Sequence, residues 1–189
     1  TGWKDFIILP ADDDVYSLTV SLPDDANDGR YKNMGIELLN TSNGQRYKYL
    51  ITDKTEYVFG NLLSSTQYSV SVKNAKNEIL GEISDLEIID KDLTVAFPNL
   101  RQPQNVILKV TTPDGVDVTS EVTVKWFDKD DNLLQQGGSL TGVLENSQVA
   151  YIVVLPQEMQ SSYIQPAKQI FTVSEQNALT YMLEKLETV

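Results

Sequence analysis

The sequence predicts an all-β chain folded as two tandem β-sandwiches. Three observations carry this. Apolar and polar residues alternate in short runs along the 189 residues, which is the pattern of half-buried strands. Turn-forming Asn, Asp, Gly and Pro separate the runs at spacings of about 8–12 residues. A chain of this length accommodates two domains of roughly 90–100 residues each.

The first strand runs from Tyr16 to Leu22: Tyr16, Leu18, Val20 and Leu22 alternate with Ser17, Thr19 and Ser21. A period of two places the apolar set on one face and the hydroxyls on the other. Asp24 to Arg30 reads as a loop. Strands follow at Met34–Asn40, Tyr47–Thr52, Glu56–Phe59, Tyr68–Lys73 and Gly81–Ile88. Asn43-Gly44 marks a hairpin, because both residues accept the positive φ of a tight turn. Asn74 to Asn77 marks another turn. Lys91 and its flanking aspartates interrupt the apolar pattern between Ile88 and Leu93, so the join between halves is expected there, with domains 1–90 and 91–189.

Strands resume at Leu93–Phe97, Val106–Thr111, Val122–Phe127, Leu133–Gln136, Ala150–Leu155 and Ile170–Val173. Thr112-Pro113-Asp114-Gly115 is a turn in which Pro presets φ and Gly takes the positive value. At the C-terminus Leu179, Tyr181 and Leu183 alternate as in a strand, whereas Leu179, Met182, Leu183 and Leu186 fit a helix that Ser174 would cap. The β neighbours favour the strand. No close internal repeat is visible, although the halves share a general design.

Composition restricts the chemistry. The chain contains no histidine and no cysteine, so a disulfide framework and thiolate metal sites are excluded. Hydroxyls are plentiful but have no histidine to act as their base. Lys and Arg number 15 against 27 Asp and Glu, a formal charge of −12. Such a surface repels phosphate backbones and anionic headgroups, so neither nucleic acid nor a membrane surface is an expected partner. Solubility explains the charge; recruitment of cations or a basic partner is the alternative. The longest apolar run, Val149 to Leu155, has strand length and falls short of the roughly 18–20 residues of a membrane span. The chain starts at Thr1 without a basic-then-apolar leader and reads as a trimmed or mature form.

Two resemblances follow. Leu62-Leu63-Ser64-Ser65-Thr66-Gln67-Tyr68 leads into an alternating strand. With Leu62, Thr66 and Tyr68 in matching positions, Tyr16 to Ile88 resembles a fibronectin type III domain. The resemblance implies a tyrosine corner, in which the Tyr68 hydroxyl bonds back to the nearby backbone. The family's tryptophan on its second strand is absent, which leaves a generic immunoglobulin-like sandwich open; its adhesive tripeptide is also absent. In the second half, Val122-Thr-Val-Lys-Trp126-Phe-Asp-Lys-Asp-Asp-Asn-Leu133-Leu134 precedes Leu140-Thr-Gly142-Val143. Residues 92–189 are thereby similar to prealbumin-like sandwiches, namely carboxypeptidase regulatory-like and collagen-adhesin B-type modules. That likeness implies a spacer, stalk or accessory folding unit of a secreted or surface protein, including lipoproteins and pilus-like subunits.

Candidate sites are few. Asp128-Lys-Asp130-Asp-Asn132 matches the first half of an EF-hand loop, but Leu133 stands where glycine is needed and Ser139 where a bidentate glutamate is needed, so a hairpin turn is expected. Asp12-Asp13-Asp14 and Asp24-Asp25 would hold calcium only if their loops converged; two polar loops are the simpler reading. Gly137-Gly138-Ser139-Leu140 lacks the glycine spacing of a nucleophile elbow. The second resemblance admits a Lys–Asn isopeptide crosslink between Lys91 or Lys109 and Asn177, though ordinary solvent-facing side chains are favoured. Tyr47, Tyr49 and Tyr57, with Trp3 and Trp126, are candidates for a sugar-stacking face, against packing as their usual role. Asn40-Thr41-Ser42 is a glycosylation sequon.

No residue is assigned as catalytic, cofactor-binding or metal-ligating, and no cofactor is expected. The expected function is a non-enzymatic structural or interaction module of a larger bacterial cell-surface or secreted protein. The alternatives are a carbohydrate-binding surface protein using exposed aromatics and a pilus-type (fimbrillin-like) subunit completed by a donated strand. The expected partner is a protein or glycan at the cell surface, and the oligomeric state stays open.

Overall fold

The structure, a computed structural model, describes residues 15–187. Fourteen strands are present among them, and the chain divides into two compact units between Leu100 and Arg101. Trp3 and Asp12-Asp13-Asp14 lie outside the described residues.

The first unit contains β1 (Val15–Ser21), β2 (Gly35–Asn40), β3 (Arg46–Leu50), β4 (Glu56–Leu63), β5 (Thr66–Lys73), β6 (Ile79–Ile88) and β7 (Leu93–Ala96). One sheet has the order β4-β1-β7 and the other β3-β2-β5-β6. The alternation read from the sequence is what the two sheets bury: Leu18, Val20, Ile36, Leu38, Val70 and Val72 are all fully enclosed between them. Each such side chain contributes about 1.5–3 kcal/mol relative to exposure.

The second unit contains β8 (Pro103–Thr111), β9 (Thr123–Asp128), β10 (Leu133–Gln136), β11 (Ser139–Leu144), β12 (Gln148–Val154), β13 (Gln169–Thr172) and β14 (Ala178–Met182). Its sheets have the orders β11-β8-β14 and β10-β9-β12-β13. Trp126 is its centre, fully enclosed, with its ring 5.3 Å from Tyr151 and its indole N–H donating to Gly137 O at 2.8 Å.

The two units therefore share one strand order. In each, the first strand is central, pairing antiparallel with the fourth and parallel with the seventh: Leu18 faces Leu93, and Leu108 faces Leu179. The match extends to detail. A left-handed residue stands at each crossover from the fourth strand to the fifth, Ser65 (φ 62°) and Asn146 (φ 62°). Its N–H bonds the carbonyl at the end of the sixth strand, Ile88 at 2.7 Å and Val173 at 2.8 Å. The fourth strand of each unit also carries a bulge with a left-handed residue, Asn61 or Gly142. In sequence the two halves resemble two different sandwich families. Strand order does not separate them, and the parallel pair departs from the purely antiparallel sheets of an immunoglobulin-type sandwich.

Three expectations change. The boundary falls after Leu100, not at residues 90–91, because β7 pairs with β1 and because Phe97 and Leu100 are buried against Gly81. The aspartates that suggested a join are ties within the first unit: Ser64 Oγ donates to Asp90 at 2.9 Å, and Ser17 N donates to Asp92 at 2.8 Å. Strand β11 was not anticipated, since Gly142 reads as a turn glycine but is the bulge residue of a strand. The Asn43-Gly44 connection is a longer loop in which only Gly44 has positive φ, closed by Asn40 N to Gln45 O at 2.8 Å. The C-terminal ambiguity resolves as strand β14, because Leu179 and Tyr181 pack on the core of the second unit.

Replacing Trp126 with Ala removes the largest enclosed side chain and one hydrogen bond. The expected loss is about 3–5 kcal/mol in the second unit. Hydrogen exchange is expected to show β8–β14 amides losing protection while β1–β7 amides keep theirs.

Candidate functional site

The side chains nominated from the sequence are placed as follows. In the 128–132 turn, Asp128 accepts from the backbone N–H of Asp130 at 2.8 Å and of Asn132 at 2.9 Å, and from the Asn132 side chain at 3.0 Å. Both of its carboxylate oxygens serve the turn. Asp25 and Asp28 pair with Arg30 at 2.7 and 2.8 Å. Lys109 is exposed opposite Thr180, and Asn177 Oδ1 accepts from Ser174 N. The core positions where the first and last strands meet are apolar instead, Leu108 with Leu179 and Val110 with Tyr181, so Lys109 and Asn177 are not brought together for a crosslink. Lys91 is exposed in the link between β6 and β7. The sequon residue Asn40 is buried, and its side chain accepts from Ser42 N and Asn43 N. Trp126 is core, not surface.

Tyr68, the residue on which the fibronectin-type resemblance rests, is the third residue of β5 and is buried. Burial raises its pKa, partly offset by hydrogen bonds with Thr66 and the Leu63 backbone.

The tyrosines separate. Tyr57 is buried, with its hydroxyl accepting from Thr52 N at 2.8 Å. Tyr47 and Tyr49 lie on β3, an outer strand of its sheet, opposite the buried Leu38 and Ile36. Both rings therefore sit on the inner face, at the flank where β3 faces β4 of the other sheet. The Tyr49 ring is 4.8 Å from Phe59 and 6.1 Å from Tyr57, and its hydroxyl donates to Val58 O at 2.7 Å. This bond ties the two sheets across the flank. Beside it opens a cleft of about 350 Å³ lined by Tyr47, Lys48, Tyr49, Phe59, Gly60, Asn61 and Leu62. Period-two spacing of Tyr47 and Tyr49 places both on one side of β3. What the sequence did not reveal was Gly60-Asn61 opposite them, since the bulge depends on pairing with β1.

No family model matches the sequence, and no curated protein matches it. Solved structures do. The chain is similar to the minor pilin of the Gram-positive pathogen Streptococcus agalactiae, at 12% identity and a TM-score of 0.55, with 92% of this chain and 98% of that one covered. A streptococcal ancillary pilin matches at 11% identity and a TM-score of 0.46, over 94% of this chain and 64% of that one. The shaft pilin SpaA of Lactobacillus rhamnosus GG matches at 9% identity and a TM-score of 0.38, over 93% and 99%. The first of these likenesses supports the β-sandwich fold.

Two outcomes are expected. Tyr49→Phe removes the cross-flank bond and lowers stability by about 1 kcal/mol in denaturant unfolding. Asp128 and Asp117 titrate below the ordinary 3.8, held down first by side-chain hydrogen bonds from Asn132 and Thr119 respectively. Depressed carboxylates stabilise the fold above their unfolded pKa, and the contribution disappears as pH falls through the folded value. Carboxyl NMR titration is expected to show both midpoints under 3.8, and the 128–132 hairpin loosening in that acidic range.

Proposed function

We propose that the chain is a non-enzymatic, tension-bearing module of a bacterial cell-surface or secreted protein, of the pilin type. One observation carries the reading: in both units the first and last strands are parallel neighbours, β1 with β7 and β8 with β14. A chain pulled from its ends loads such a pair along the strand axis. The ladder bonds are then sheared together, where an antiparallel terminal pair would open one at a time. Two such units in series suit a protein that extends or presents something under load. The likeness to a minor pilin over 92% of the chain agrees with this role. Each unit supplies its own seventh strand, so the sandwich is complete without a strand donated by a neighbour. The partner expected at the surface is another protein.

Force spectroscopy tests this, aided by the absence of native cysteine. Cysteine handles at Ser17 and Pro98 pull β1 and β7 from opposite ends; handles at Ser17 and Lys91 pull them from the same end. The opposite-end pair is expected to resist with clearly greater force. Equal forces would remove the basis for a tension-bearing role.

A further inference from the structure

The cleft between β3 and β4 is a departure from the scaffold that the second unit repeats. Register equates Tyr47 with Gln135, because they face Leu38 and Trp126 on the matching strands. It likewise equates Gly60 with Thr141 and Asn61 with Gly142, at the two bulges. In the second unit the flank is closed: Gln135 Oε1 accepts from Thr141 N at 3.1 Å and from Thr141 Oγ1 at 3.3 Å. In the first unit a tyrosine replaces that glutamine and glycine replaces that threonine. A Cβ built on Gly60 meets nothing within 4 Å. The ring of Tyr47, 37% exposed, lines open space instead of crossing to the bulge.

We infer that this cleft binds a neutral saccharide of one or two pyranose units. The inference goes beyond the mechanical role and does not depend on it. Its volume of about 350 Å³ lies at the small end of ligand pockets. One wall is aromatic, Tyr47 and Tyr49, which suits the C–H face of a pyranose ring. Asn61 also lines the cleft, and its amide is of a type that both donates to and accepts from ring hydroxyls. No carboxylate lines the cleft. The Lys48 ammonium lies against Gly35, 3.4 Å from where a Cβ would stand, on the outer side of the sheet. The occupant suggested by the lining is therefore amphipathic and uncharged. Addition of a peptide strand to β4 is disfavoured, since the bulge breaks its edge and Tyr49 already occupies the Val58 carbonyl.

The test applies the full chain to immobilised neutral and sialylated glycans, then follows tyrosine-ring NMR signals on titration with a neutral glycan that binds. Binding to at least one neutral glycan is expected. Tyr47→Ala, and Gly60→Leu, which fills the cleft, are each expected to weaken it roughly tenfold or more. Asn61→Gly suits the φ of 57° and should keep the fold while losing affinity. Gln135→Ala, on the closed flank, should leave binding unchanged. The inference is overturned if no neutral glycan binds, if only sialylated glycans bind, or if folded Tyr47→Ala and Gly60→Leu both bind normally. A cleft that responds to a synthetic peptide of residues 1–14 and to no glycan would reassign it to strand addition and overturn the inference equally.

Discussion

Each unit depends on its first strand finding its last. β1 and β8 are the central strands of three-stranded sheets, so neither sheet is complete until a segment at the far end of the unit has returned. The Ser17–Asp92 bond spans 75 positions of sequence. Closing so long a loop costs entropy before any contact forms, which makes this pairing the demanding step of folding. Once formed, it encloses Leu18 and Val20 in the first unit and, separately, Leu108 and Val110 in the second. The same pair ties the two ends of each unit together, so the proposed tension-bearing role and the fold rest on one interaction.

The repetition of this plan is carried by backbone requirements more than by side chains. At the crossover from the fourth strand to the fifth, each unit places a left-handed residue, Ser65 in one and Asn146 in the other. The bulge needs another, met by Asn61 and by Gly142. Residues that tolerate positive φ are interchangeable there, so two unlike sequences reach one topology. Side chains then differentiate the units. The flank held by Gln135 and Thr141 in one is spanned by Tyr49 and left open beside Tyr47 in the other.

The acidic residues serve the backbone. Asp128 caps its own hairpin, Asp117 accepts from Thr119 N at 2.9 Å and its hydroxyl at 2.6 Å, and Asp90 and Asp92 hold the link into β7. Short carboxylates favour such local bonds to backbone N–H groups, which is why they gather at turns. The 128–132 segment, which resembles the first half of a ligand loop in sequence, is a turn in which the Asp128 carboxylate is already engaged.

Strand identity was legible in the sequence because a half-buried strand writes its two faces into alternate residues, as Tyr16 to Leu22 does. Turns at Asn74–Asn77 and Thr112–Gly115 were legible because local φ preferences suffice to make them; both close with the N–H to carbonyl bond expected, at 3.0 and 2.9 Å. Partner choice was not legible, because a period of two says which face is buried and not which strand lies beside it. The boundary after Leu100, the strand at β11, the common order of the two units and the cleft beside Tyr47 all follow from that choice, and each is set by residues far apart in the chain meeting across a sheet or between sheets.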